Sequence, residues 1–282
     1  MEDRVQHPIA VFDSGLGGLS VVRHLRELLP HEDLVYFGDT ARVPYGTKSR
    51  VTIVQFARDD ANFLMEFEPK IVVVACNTAS ALALSELAAE LPVPVLGVVE
   101  PGAATAVALA AGRPIGVLGT EATVGSGAYP AAIKARAPRT EVVLQACPLF
   151  VPLVEEGRES SDPVVRLVCE GYLAPLRSCG VGVVLLGCTH YPLLRDAIAA
   201  TLGPDVQIVD SGAETSRAVR AVLTDGHALH SGSSPSQLHC FVSDHPERFR
   251  TVGSRFLECA IEHVEYVAPE RYIASIAHEP LR

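Results

Sequence analysis

The chain has 282 residues, 48% of them hydrophobic, and a formal net charge of −10. That length makes one large domain or two of ordinary size, and the apolar share supports full cores rather than disorder. The acidic balance lacks the basic footprint of a nucleic-acid binder. It also means that a small anionic ligand must be held by local dipoles and hydrogen-bond donors. The opening MEDRVQHP does not have the basic-then-apolar layout of a signal peptide, and no apolar run nears the roughly 18 residues that span a bilayer. Seven scattered cysteines without a CxxC pair fit free thiols in a reducing cytoplasm.

In chain order, β-rich runs stand at Ile9–Phe12, Leu34–Phe37, Ile71–Ala75, Val95–Val98, Ile115–Leu118, Val142–Gln145, Val183–Leu186 and Gln207–Val209. Segments such as Gly18–Leu29, Ser49–Glu66, Thr78–Glu90 and Pro163–Ser178 carry apolar residues at helical spacing. The alternation predicts an α/β protein with mainly parallel sheets flanked by helices. The runs VVVA and VVLL have the apolar character of strands buried on both faces. Junctions near Glu100–Pro101 and Val209–Gly212 divide the chain into two similar domains, residues 1–99 with 210–282 and residues 100–209. The stretch His227–Gln237 is rich in Ser, Gly and His and predicts a surface loop.

Two cysteines echo one another. Cys76 follows VVVA and precedes Asn77 and Thr78; Cys188 follows VVLLG and precedes Thr189 and His190. Thiols delivered by related units predict a pseudo-twofold site between the domains. A helix starting after such a cysteine would favour its thiolate, and His190 could exchange a proton with Cys188. Cys147, Cys169, Cys179, Cys240 and Cys259 are expected to be small buried fillers. A fainter echo, VFDSG at 11–15 and IVDSG at 208–212, is ordinary turn and cap chemistry. The glycines of DSGLGG are spaced GxGG rather than GxGxxG, which argues against a dinucleotide site, while Asp13 leaves its strand where a carboxylate can act on a ligand.

Other chemistries fit less well. Cys259 with His263, and His227 with His230, have ligand-like spacing, but no full zinc set accompanies them. A Cys-His hydrolase built on Cys188 and His190 leaves Cys76 idle, and residues two apart on a loop seldom face each other. A pyridoxal enzyme needs a lysine, and Lys48 is the one lysine near a strand-end loop. A bilobal amino-acid receptor would share the fold but not need two thiols.

The set DSGLGG (13–18), GDTARVPYG (38–46), ACNTAS (75–80), LGTEATV (118–124), CPLFVPLVEEG (147–157) and GCTHYP (187–192) resembles the glutamate racemase family. The resemblance runs from about residue 9 to at least 223 and is looser beyond. It implies cofactor-independent interconversion of L- and D-glutamate for peptidoglycan, with Cys76 and Cys188 as the two bases. Asp13 would assist one thiol, and His190 and Glu155 the other. By position it carries Asp13, Ser14, Pro44, Tyr45, Gly46, Asn77, Thr78, Thr120, Thr123, Thr189 and His190 over as substrate-binding residues. For Thr120 and Thr123, helix capping is an equal reading. His190 after GCT points to glutamate; aspartate racemases, the nearest competitors, tend to carry Glu there. Homodimers are common in the family, and neither a metal nor a nucleic-acid partner is implied.

Overall fold

In the computed structural model, which describes residues 3–273, the strands form two sheets. The strands are β1 (Ile9–Asp13), β2 (Leu34–Gly38), β3 (Ile71–Val74), β4 (Val95–Gly97), β5 (Ile115–Gly119), β6 (Val142–Ala146), β7 (Val183–Gly187), β8 (Gln207–Asp210), β9 (Leu238–Val242) and β10 (Val264–Tyr266). The first sheet is ordered β10-β9-β2-β1-β3-β4 and the second β6-β5-β7-β8, with every neighbouring pair parallel. Parallel neighbours need crossovers, and helical crossovers cover both faces of a sheet. Accordingly β3 and β7, apolar throughout, are buried along their whole length.

Without β9 and β10, the first sheet has the order β2-β1-β3-β4, the counterpart of β6-β5-β7-β8. Cys76 follows β3 and Cys188 follows β7, so the two cysteines occupy equivalent positions in repeated units. The DSG echo is not such a repeat. Asp13 ends β1 while Asp210 ends β8, whose counterpart is β4. What the two share is a turn: Asp13 Oδ2 accepts from Gly15 N at 2.9 Å, and Asp210 Oδ1 from Gly212 N at 2.8 Å.

The passage between sheets is made by helices rather than linkers. Glu100 and Pro101 lie in the first turn of the helix Val99–Leu109, where proline costs no hydrogen bond, and the chain returns along the helix Ser211–Asp225. These two helices pack together, with Thr105 Oγ1 donating to Glu214 Oε2 at 2.8 Å. One apolar core contains Ile9 and Val11 of β1 as well as Val184 and Leu186 of β7. Alternate residues of β1, Ala10 and Phe12, enter a second core against the helix Arg50–Met65. The two sheets therefore hold one another through shared packing.

Eight strands fall where the sequence predicts them. β9 and β10 were not foreseen. β9 emerges from the His227–Gln237 loop with an exposed His239, and β10 is a three-residue edge strand with two exposed side chains. Of the five cysteines expected as buried fillers, Cys147, Cys169 and Cys240 are buried, but Cys179 and Cys259 are exposed. Among the described residues, no helix is long and apolar enough to cross a membrane.

Candidate active site

Ligands of parallel sheets bind outside the carboxyl ends of the strands. Here six such loops enclose one cavity of about 160 Å³, small enough for a metabolite rather than a drug-sized molecule. Ser14 and Gly15 come from the loop after β1, Val43–Thr47 from that after β2, and Cys76–Thr78 from that after β3. The second sheet supplies Thr120 and Glu121 after β5, Pro148, Val151, Pro152 and Glu155 after β6, and Cys188–His190 after β7. A wider surface hollow of about 500 Å³ lies between Arg23, Arg26 and Cys259, but neither an imidazole nor a second thiol lines it.

Cys76 is the N-cap of the helix Asn77–Glu90, and its sulfur accepts from Ala79 N at 3.5 Å. Its thiol donates to Ser14 Oγ at 3.6 Å. Burial first, and the Asp13 carboxylate second, push this thiol up to about 12. The helix start pulls the other way and is outweighed. The expectation that a helix after the cysteine would favour thiolate is thus corrected for Cys76, because desolvation exceeds the pull of one amide.

Cys188 has a base beside it. Its sulfur lies 4.0 Å from His190 Nδ1, while His190 Nε2 lies 3.0 Å from Glu155 Oε1. Burial pulls the imidazole down, but its bonds to Cys188 and Glu155 prevail and raise it to about 10. The His190 bond in turn holds the Glu155 carboxyl below its usual range. Although two apart on a loop, Cys188 and His190 face each other. The backbone turns in the right-handed helical region at His190 and enters the 3-10 helix Tyr191–Leu194.

Asp13 is buried and does not border the cavity. Its carboxylate folds back onto Gly15 N, and Thr189 Oγ1 reaches it at 3.5 Å. It thus acts from behind on Cys76. The role of DSGLGG is also visible: a Cβ at Gly17 would overlap Thr189 and His190, so this glycine lets the β1 loop abut the β7 loop.

The Asp/Glu/Hydantoin racemase family matches residues 17–219. A glutamate racemase of Geobacter metallireducens is 49% identical over 262 residues, covering 93% of this chain and 97% of the relative. The chain belongs to this racemase family. The crystal structure of a Francisella tularensis glutamate racemase in complex with D-glutamate superposes with a TM-score of 0.89 at 39% identity, covering 95% of this chain and 100% of that one. That of a Thermus thermophilus glutamate racemase in complex with β-chloro-D-alanine gives 0.85 at 44% identity, covering 95% and 99%. The protein is accordingly an isomerase of the glutamate racemase type.

The remaining expected residues of this racemase divide into two groups. Ser14, Pro44, Gly46, Asn77, Thr78, Thr120, Thr189 and His190 border the cavity. Tyr45 borders it as well, but its hydroxyl turns away, towards Asp39 and, at 2.9 Å, Asp60. Thr123 does not reach the cavity. It is buried behind Thr78, in a cluster where Thr78, Thr120 and Thr123 hydroxyls lie 3.0–3.1 Å apart. Thr120 also caps the helix Glu121–Gly125, accepting from Thr123 N at 3.2 Å, so lining and capping coexist. Asn77 Nδ2 donates to Tyr129 Oη at 2.7 Å and to Ser211 Oγ at 3.2 Å, while its buried Oδ1 has no partner among the described residues.

Sequence reasoning missed Tyr129 and Ser211, which orient Asn77, and the Pro148, Val151 and Pro152 wall. Ser211 stood in view within the IVDSG echo, and the wall within CPLFVPLVEEG. Arg248, whose Nη2 donates to Glu155 Oε2 at 3.2 Å, gave no signal at all.

Proposed function

We propose that the protein interconverts L- and D-glutamate by a two-base mechanism using Cys76 and Cys188, without a cofactor. The observation that carries this reading is one cavity lined by two thiols on equivalent loops of two repeated units. Each thiol can serve one face of a bound α-carbon. When Cys188 is the base, it acts as a thiolate held beside the His190 imidazolium and removes the α-proton. Cys76, kept protonated by burial and Asp13, delivers its proton to the opposite face. In the other direction the two roles exchange.

The carbanion between these steps needs stabilisation that bulk water does not give. Ser14, Asn77, Thr78 and Thr189 offer hydroxyl and amide groups around a small enclosed space. The unpartnered Asn77 Oδ1 is an acceptor suited to an ammonium group. None of the three lysines, Lys48, Lys70 and Lys134, borders the cavity, so no Schiff-base amine is offered there. The D-glutamate formed would supply peptidoglycan in the cytoplasm.

The test is incubation of dialysed, reduced enzyme with L-glutamate in heavy water, with L-aspartate in parallel. Loss of optical rotation and α-deuteration of glutamate are expected. Absence of both would overturn the proposal, and a preference for aspartate would redirect its substrate.

A further inference from the structure

One set of buried titratable groups is not used by the chemistry above. Arg42 is surrounded by three carboxyls: its Nε donates to Asp39 Oδ2 at 2.6 Å, Nη1 to Asp59 Oδ2 at 2.7 Å and Nη2 to Asp60 Oδ1 at 2.7 Å. The guanidinium lies over Phe56 at 4.2 Å and under Tyr272 at 5.0 Å. The carboxyl side chains are at most 2% exposed. One cation against three buried carboxylates leaves uncompensated charge, which is costly away from water and is relieved by taking up a proton.

Counting donors locates that proton. Asp39 is an acceptor at every contact. Its Oδ2 takes Arg42 Nε and the Tyr45 hydroxyl, and its Oδ1 takes Ser243 Oγ at 3.0 Å. The Ser243 hydroxyl proton is free for this, because Ser243 Oγ itself accepts from Ala41 N. Asp59 is likewise an acceptor, from Arg42 and from Gln55 Nε2 at 2.9 Å. Asp60 Oδ2 differs: its one partner among the described residues is the Tyr45 hydroxyl at 2.9 Å, and the single Tyr45 proton, within reach of both carboxyls, belongs to the shorter contact with Asp39. Two acceptor oxygens cannot share that contact without a second hydrogen.

We propose that Asp60 is a protonated, neutral acid whose O–H donates to Tyr45 and thereby positions the Pro44–Gly46 wall of the cavity. Burial and the neighbouring Asp39 charge both act to keep its proton on. Tyr45 is gripped from two sides, as donor to Asp39 and acceptor from Asp60. Pro44, Tyr45 and Gly46 line the cavity, and a Cβ at Gly46 would collide with Thr120 of the other unit, so a shift of Tyr45 moves a tightly fitted wall. Asp60 is a positioning residue that works through Tyr45. The groups facing it are Asp39, Arg42, Tyr45, Asp59 and, across Arg42, Tyr272.

The pH consequence has a definite sign. An acid with a raised folded-state pKa keeps its proton after the unfolded chain has lost it, at about pH 4. Stability therefore falls as pH rises from there through the folded value. Asp60→Asn supplies an amide N–H to Tyr45 and an oxygen to Arg42, with no proton to lose.

The experiment combines infrared spectroscopy, thermal melting against pH, and kinetics on three variants. The wild type should show a carbonyl stretch of a protonated carboxylic acid that disappears in Asp60→Asn. The same variant should flatten the decline of Tm above pH 4. Asp60→Ala should raise KM for glutamate about tenfold, the worth of one buried hydrogen bond, with kcat little changed, and Asp60→Asn should rescue it. Asp39→Asn, which sets an amide against three donors, should melt well below Asp60→Asn. Persistence of the infrared band in Asp60→Asn, or equal damage from Asp39→Asn and Asp60→Asn, would overturn the protonation. The KM arm rests on this cavity being the glutamate site. An unchanged KM in Asp60→Ala, with the infrared and melting results as expected, would overturn the positioning role alone.

Discussion

The surroundings of Cys76 and Cys188 differ more than their places in the fold. Both follow the third strand of a β2-β1-β3-β4 type unit, and both face one cavity. Cys76 has a carboxylate behind it and a serine hydroxyl in front, and burial keeps it a thiol. Cys188 has an imidazole at 4.0 Å whose far nitrogen is held by Glu155. A repeated backbone thus delivers two equal thiols, and the loops around them give unequal neighbours. Under the proposed two-base reading this inequality suits racemisation, because one group must give a proton while the other takes one.

The largest test removes each thiol in turn. Cys76→Ser and Cys188→Ser should each slow racemisation by about a thousandfold or more, near the upper range for loss of a general acid or base. The residual chemistry should be one-sided. With a substrate bearing a leaving group at Cβ, each variant should still eliminate from the one enantiomer whose α-hydrogen faces the remaining cysteine. Near-native racemisation by both variants would dismiss the two-base reading.

How much of this was legible in the sequence depends on the kind of signal. The thiol pair was visible because each cysteine ends a fully apolar run, and burial on both faces leaves little choice but a central parallel strand. His190 was legible as a proton partner of Cys188 from its place two residues on, although nothing in the local pattern reveals the 3-10 turn that brings it back to the thiol, while Glu155 entered only through the resemblance. Asp13 and Thr123 were assigned to the cavity wall and lie behind it. Position at a strand end does not fix side-chain direction, and in both cases a local partner, Gly15 N or the Thr78 hydroxyl, captured the group. Arg248 and β9 belong to the segment after residue 224, where charged and polar residues blur the strand and helix periods.

A second pair of substitutions should move the two sides separately. Asp13→Asn removes a negative charge beside Cys76, so its thiol should fall from about 12. The check is the pH dependence of iodoacetamide alkylation at Cys76, read by peptide mass spectrometry. Glu155→Gln removes the carboxylate that stabilises the His190 imidazolium, so the imidazole should fall from about 10 towards its ordinary value of about 6.5. Because the folded value of His190 is raised, its contribution to stability is complete below about 6.5 and lost as pH rises through about 10. In Glu155→Gln that loss should begin at lower pH, and NMR titration of the ring would follow it. Each variant should cost about 10- to 100-fold in rate. A Cys76 alkylation profile unmoved by Asp13→Asn would remove Asp13 from the Cys76 side.

The smallest expected effect separates the two sides by where their support comes from. Cys76 is served by Asp13, the last residue of β1, and Ser14, the first of the loop after it, both from its own sheet. Cys188 is also served from across the molecule, by the helix Pro246–Leu257, which stacks Phe249 on Tyr36 of β2 at 5.7 Å between ring centroids. From that helix Phe256 sets its ring edge-on to His190 at 5.1 Å, Arg255 Nη1 donates to Val154 O at 2.8 Å, and Arg248 pairs with Glu155. Of these, Arg248 can be changed without opening the core, since its side chain is 57% exposed. An exposed pair of this kind is worth about 0.2–1 kcal/mol, so Arg248→Gln should lower kcat/KM by about 1.4- to 5-fold. High salt should shrink the gap between wild type and variant, because screening weakens the exposed pair while leaving the buried His190–Glu155 contact largely intact. A loss far beyond fivefold, insensitive to salt, would mean that Arg248 fixes the Glu155 carboxylate geometrically, and that the Cys188 side depends on the neighbouring unit far more than the Cys76 side does.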